Sequence, residues 1–278
     1  MSMSPEAFHT LLGLCVVSAA AAIARAQRRA KPFEPTEGQR GKDVVWVPTP
    51  PELVERMLDM ARVTPQDYVI DLGSGDGRNV IAAAKRGAHA LGIEYSAQMV
   101  EVSRHTAVLA GVADRALFVQ GDLYEADISH ATVLALFLLP ENLGTLSPKF
   151  LELAPGTRIV TNRFAIEGWE PDEISRIGGD SASCCTALLY VVPAKAGGRW
   201  RLADGELVLE QRFQMLSGTA LLHGTRTPIE NGRLRGAEIS FRVQGDEYVG
   251  RVMGDVMKGQ TKGHAAGEWS AMRIELTH

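Results

Sequence analysis

The chain has 278 residues, 45% hydrophobic and 22% charged, with a formal net charge of −4 at pH 7. That composition excludes a chain disordered by charge and a strongly basic chain built to hold nucleic acid; its length admits one large domain or a core domain with a smaller companion. Cys15, Cys184 and Cys185 show no CxxC or Cys/His spacing, so no metal site is expected and they read as buried structural thiols.

Residues 8–24 (FHTLLGLCVVSAAAAIA) are apolar apart from His9, Thr10 and Ser18, a run short for a full membrane span. Arg25, Arg28, Arg29 and Lys31 follow it, whereas the first seven residues carry only Glu6 as a charge. By the positive-inside rule residues 1–30 are expected to be an uncleaved anchor, leaving the protein membrane-associated with its body in the cytoplasm. The alternatives are export, with cleavage at the small residues around Arg25, and a surface-lying helix. Residues 31–43 (KPFEPTEGQRGKD) are polar, contain Pro and Gly, and read as a linker.

From residue 44 strands and helices alternate. Apolar spacing after Pro51 predicts a helix over 51–62, then a strand over 67–73 and a helix over 78–86. A strand over 88–95 leads to a helix over 96–110 with Ser96 as N-cap. Strands over 116–120 and 132–139, a helix over 142–153 and a strand over 157–164 complete the series. This alternation predicts an α/β unit with a parallel sheet over 44–196. After about residue 197 the period becomes two: Leu207, Leu209, Gln211, Phe213 and Met215 alternate with Val208, Glu210, Arg212 and Gln214. Turn signals recur at Asn231-Gly232, Gly245-Asp246 and Gly254-Asp255. A small antiparallel β-meander or barrel domain is expected over 197–278.

The chemistry is expected at Val69-Ile70-Asp71-Leu72-Gly73-Ser74-Gly75-Asp76-Gly77-Arg78, where the first strand ends and a helix opens. Open α/β sheets bind ligands at that edge, and Gly73 and Gly75 let backbone approach one closely. The spacing differs from the GxGxxG of dinucleotide sites, and Asp71 beside the loop would repel a pyrophosphate. It suits the cationic amino group of S-adenosyl-L-methionine (SAM). Glu94 ends the second strand, where a carboxylate can accept from ribose hydroxyls, and Asp122 follows the third, where it can accept from an adenine amino group.

Glycine loop and acids together resemble the motifs of class I SAM-dependent methyltransferases over about residues 44–192. The resemblance implies a Rossmann-like seven-stranded sheet whose last strand is antiparallel, with 187–192 (ALLYVV) a candidate late strand. It implies SAM as cofactor, held by Thr49, Asp71, Gly73, Ser74, Gly75, Asp76, Glu94, Tyr95, Asp122 and Leu123, with Trp46 and Pro48 folding over it. Val47-Pro48-Thr49-Pro50, DLGSGDGR, GIEY and Phe137-Leu138-Leu139-Pro140 together resemble the FAM173-type (ATP synthase c-subunit) lysine methyltransferases and their bacterial relatives. That implies a protein lysine or other amine as acceptor; a small-molecule acceptor and a non-catalytic SAM-binding scaffold are the alternatives. The C-terminal β-domain is not part of that family's minimal enzyme.

Class I enzymes place the acceptor near the end of the fourth strand. Phe137 is expected to wall the transfer channel, and Pro140 to expose carbonyls toward the amine. The alternative is buried strand at 137–139, with Pro140 opening a helix. Asn162 and Phe164 are placed on the acceptor side, and Trp169 reads as packing.

Overall fold

The computed structural model describes residues 33–42, 44–177, 185–264 and 266–274. The chain divides after Pro35, and the unit from Thr36 to His278 carries everything below. The expected anchor over 1–30, Cys15 and Cys184 lie outside the described residues; among those described, no helix is long and apolar enough to cross a membrane.

Leu53, Val54, Met57 and Leu58 recur at helical intervals and are buried along one side of α1 (Pro51–Met60). Pro51 opens that helix at a position that needs no N–H. There follow β1 (Tyr68–Leu72), α2 (Arg78–Lys85), β2 (His89–Glu94), α3 (Ala97–Leu109) and β3 (Ala116–Gln120). Then come β4 (Val133–Leu136), α4 (Pro140–Phe150), β5 (Arg158–Asn162), β6 (Glu173–Arg176) and β7 (Thr186–Val191). The strands form one seven-stranded sheet in the order β3-β2-β1-β4-β5-β7-β6. β1 to β5 pair in parallel, and β7 runs antiparallel to both β5 and β6. Val69 packs with Leu53, Met57 and Val80 on one face; Ile70 and Leu72 join Leu134, Leu143, Phe150 and Tyr190 on the other. Burial on both faces explains why β4 reads as an unbroken apolar run and β1 as one interrupted by Asp71.

Asp67, just ahead of β1, ties the far edge of this sheet together. It accepts from Thr64 N at 2.8 Å, Thr64 Oγ1 at 3.0 Å, Thr132 Oγ1 at 2.7 Å and the Arg158 guanidinium. Arg158 also reaches Ala61 O at 2.9 Å, so the end of α1 and the starts of β1, β4 and β5 meet at one carboxylate.

Within this unit the elements depart from the sequence reading in places: β4 ends at Leu136, short of the expected 139. α4 begins at Pro140 rather than 142, because Asn142 Oδ1 accepts the Leu139 N–H at 3.2 Å and so completes the helix start from within. β6 is short, polar and mostly exposed, and periodicity gave it no signal.

The remaining strands are β8 (Gly198–Leu202), β9 (Gly205–Arg212), β10 (Met215–Leu222), β11 (Thr225–Pro228), β12 (Glu230–Arg235), β13 (Glu238–Val243), β14 (Asp246–Met253), β15 (Val256–Lys262) and β16 (Gly267–Arg273). β9 pairs with β10, and β16 returns to pair with β8, which closes the meander into an eight-stranded antiparallel barrel. β11 and β12 share β10 as partner and act as one interrupted strand. Trp200, Leu209, Phe241, Met257 and Trp269 fill the interior, with Phe241 stacked on Tyr248 at 4.9 Å. The expected turn at Asn231-Gly232 is instead an irregularity inside β12: Asn231 takes φ 52°, and a Cβ on Gly232 would lie 2.5 Å from Leu216 O.

Candidate cofactor-binding and active site

The strand order reverses between β1 and β4, which opens a crevice above their carboxyl ends. A cleft there is lined by the loop 73–76, by Asp71, Glu94, Tyr95, Asp122 and Leu123, and by Phe137, Leu138, Leu139, Arg163 and Phe164. Thr49, Asn79 and Met99 complete it, together with much of the segment 39–49.

The loop is shaped by its glycines. Gly73, Gly75 and Gly77 have φ of 75°, 56° and 81°, which residues with a Cβ adopt at a cost. A Cβ on Gly77 would lie 2.6 Å from the Phe118 ring, and one on Gly75 2.5 Å from Trp46 Nε1. Gly75→Ala is expected to push Trp46 off the loop and weaken SAM binding about tenfold, equivalent to ~1.4 kcal/mol, as titration calorimetry would show.

The acids differ in state. Asp71 is buried; Asn79 Nδ2 donates to its Oδ2 at 3.1 Å, while its Oδ1 has no protein partner. Burial pushes its carboxyl well above the ordinary carboxylate range; the Asn79 hydrogen bond opposes this, and the neighbouring Glu94 and Asp76 add to it. Glu94 clasps the loop, accepting from Gly75 N and Ser96 N, both at 2.9 Å. Asp76 is held by Arg78, whose Nε and Nη2 donate at 3.0 and 2.6 Å while Nη1 donates to Thr49 O at 2.6 Å. Asp122 is held below the usual carboxylate range by the Lys42 ammonium, and then by the Tyr124 N–H.

The segment read as a linker is partly a folded arm. Gly38 N donates to Trp46 O at 2.8 Å and Trp46 N to Gln39 O at 2.9 Å, which makes a narrow hairpin with Arg40 bridged to Val45. It lies on the cleft: Gln39 Nε2 reaches Met99 Sδ at 3.2 Å, and Lys42 stands 5.1 Å from the centre of the Tyr95 ring.

On the β4–β5 side, Phe137 and Phe164 stack at 6.3 Å, and Asn162 Nδ2 donates to Thr49 Oγ1 at 3.3 Å. Of the predicted site residues, Pro140 and Asn162 stand outside the cleft lining, Asn162 being buried behind it. Pro140 is exposed at the first position of α4, where a missing N–H is harmless; Leu138 and Leu139 occupy the place expected of it. Gln39, Arg40, Lys42, Asn79, Met99 and Arg163 line the cleft and were not foreseen. Asn79 carried a signal: it is the second residue of the helix that follows the glycine loop.

The cleft suits a cationic nucleoside. Asp71 Oδ1 and Ser74 Oγ are buried polar atoms without a protein partner, beside a cradle that side chains would fill.

Comparison with known proteins agrees. Residues 71–173 match the family described as the ANTKMT methyltransferase domain. A protein-lysine N-methyltransferase of Saccharolobus islandicus (strain REY15A) is 42% identical over 152 residues, 54% of this chain and 94% of that protein. The ATP synthase c-subunit lysine N-methyltransferase of Mus musculus is 36% identical over 153 residues, 55% of this chain and 60% of that protein. A solved structure, described as an RNA methyltransferase from Salinibacter ruber in complex with S-adenosyl-L-homocysteine, is 44% identical with a TM-score of 0.51 and is covered over 95% of its length, against 54% of this chain.

Sheet order, cleft and likeness to a structure holding the spent cofactor define a class I methyltransferase that uses SAM. Within that class, the chain belongs to the ANTKMT methyltransferase domain family. The family match ends at residue 173, ahead of the barrel.

Proposed function

We propose that the chain methylates the amine of a protein lysine. The observation that carries this is the character of the β4–β5 side of the cleft. Phe137, Leu138, Leu139 and Phe164 make it largely apolar, with the Arg163 guanidinium over the Phe164 ring as its charged group; no histidine is among the described residues that line the cleft, and the acids Asp71, Glu94 and Asp122 stand at or near the ends of β1, β2 and β3. The relatives named as lysine methyltransferases support the same acceptor.

In this reading Asp71 takes the cofactor's amino group, Glu94 the ribose hydroxyls and Asp122 the adenine amino group. The loop 73–76 cradles the methionine end, with Tyr95 and Leu123 beside the base and Thr49 and Trp46 closing over. SAM supplies an electrophilic methyl group on a sulfonium. The apolar wall of Phe137 and Phe164 excludes water and, by desolvation, lowers the pKa of a lysine so that it arrives neutral. Holding that amine in line can account for roughly 7–11 kcal/mol of the barrier in favourable cases, with no dedicated base. The apolar run over 8–24 and the basic residues after it support a membrane-associated enzyme with this cleft on the cytoplasmic side.

Incubating the full chain with methyl-tritiated SAM and cell extract is expected to label protein, and acid hydrolysis to return the label as methylated lysine. Label in nucleic acid would replace this acceptor with the kind named for the Salinibacter structure. Label confined to small molecules would end the protein reading.

A further inference from the structure

The barrel meets the methyltransferase sheet at two hairpin tips: the β12–β13 tip lies against Gly156 and Val191 through Gly236, and the β9–β10 tip against the β5–β6 loop. β9 and β10 are joined by a two-residue loop, Phe213-Gln214. Phe213 has φ 52°. The comparable first loop positions of the β12–β13 and β14–β15 hairpins are Gly236 and Gly254, at φ 58° and 61°. The β10–β11 and β13–β14 hairpins hold His223 and Gln244 there, at φ 49° and 53°, so Phe213 is one of three side-chain-bearing residues kept in a left-handed conformation that favours glycine.

What the ring touches accounts for it. Phe213 stacks on Trp169 at 5.3 Å with 14° between planes, and Trp169 meets Tyr190 edge-on at 5.4 Å. Gln214 is fully buried and donates to Glu170 O at 2.6 Å. Arg233 of the barrel pairs with Asp172 at 3.1 Å, and Asp172 also accepts from Val191 N. All three contacts fall on the β5–β6 loop.

The other end of that loop begins at Arg163 and Phe164, which line the cleft. The two ends are joined by short links: Trp169 N donates to Ile166 O at 3.1 Å, Ile166 N to Tyr190 Oη at 3.1 Å, and Thr161 Oγ1 to Phe164 O at 2.8 Å. A loop with the acceptor wall at one end is therefore clamped at the other by a domain outside the family match.

We infer that Phe213 is a positioning residue for the acceptor: the barrel's hairpin tip wedges against Trp169 and fixes Phe164 opposite Phe137. This rests on the reading of the β4–β5 side as the acceptor wall. The ring stacks on the far end of the loop, away from the cofactor-side acids, so it acts on acceptor turnover and not on cofactor affinity.

The test is Phe213→Gly in the full chain. Glycine suits φ 52° without penalty, so the hairpin itself is not weakened by the exchange. Amide exchange over 163–169 is expected to quicken at least tenfold. Initial labelling of extract protein from tritiated SAM should fall by a similar factor, affinity for S-adenosylhomocysteine should stay within twofold by calorimetry, and Phe213→Tyr should restore both rates. Unchanged exchange and labelling would overturn the inference. So would a parallel loss of S-adenosylhomocysteine affinity, which would mean general unfolding. Phe164→Ala separates the two claims: full labelling in that variant would sink the acceptor-wall reading itself, whereas lost labelling there with none lost in Phe213→Gly would sink only the wedge.

Discussion

Asp71→Asn is expected to lower SAM affinity about 100-fold while leaving the ligand-free protein no less stable at neutral pH. The carboxylate is buried and the amino group it would meet is charged; losing a charge-assisted hydrogen bond of that kind costs about 1.5–3 kcal/mol, or roughly 10- to 150-fold. Because burial raises the folded pKa of Asp71 above its unfolded value, the folded state holds its proton more tightly. Stability contributed by this group is full at low pH and declines as pH rises through the raised pKa. The amide cannot ionise, so the variant escapes that decline, and melting curves between mild acid and pH 8 should show the parent falling relative to it. Affinity runs the other way. In the parent, SAM should bind more tightly as pH rises through the same interval, because only the ionised carboxylate pairs with the amino group; in the variant the slope should vanish. A flat parent profile with unchanged affinity in Asp71→Asn would remove Asp71 from the site.

Asp67→Ala is expected to destabilise the fold by on the order of 3 kcal/mol without direct effect on the cleft. Its side chain is 7% exposed and that of Arg158 24%, so the pair is largely withdrawn from water, and removing one partner strands the other. Burial alone would raise the Asp67 pKa, but the hydrogen bonds from Thr132, the Thr64 N–H and Arg158 outweigh it and hold the carboxyl below its ordinary value. Its stabilisation is therefore present above the unfolded carboxylate pKa and is lost as pH falls through the depressed folded one. Urea unfolding at pH 7 and in acid reads this out: the gap between parent and variant should be widest at neutral pH and should close as pH falls. A constant gap would mean that packing, not charge, explains the loss.

The two aspartates also show what was legible in the sequence. Strands buried on both faces, and acids at their ends, leave a linear signature, and Asp71, Glu94 and Asp122 all face one cleft as expected. The arm over 36–46 escaped because its pairing is backbone to backbone, under a polar surface with Pro and Gly that imitates a connector. Pro140 was misplaced because a proline after a strand gives the same letters whether it faces a substrate or opens a helix. Barrel closure was left open because pairing of β16 with β8 joins Ala271 to Leu202, a separation no local pattern encodes. The hairpin at Phe213 had no turn signal at all, since a phenylalanine stands where glycine would announce the bend.

That long-range closure sets an order of events during synthesis. The cofactor sheet is complete once Val191 has emerged, whereas β8 waits for a partner that ends at Arg273. At bacterial-to-eukaryotic elongation rates the interval is roughly 4 to 16 s. Through it, the nascent chain holds an open strand margin beside an already assembled nucleoside pocket. A chain cut short between β13 and β16 would thus carry a half able to bind cofactor, fused to a half able to stick to its neighbours.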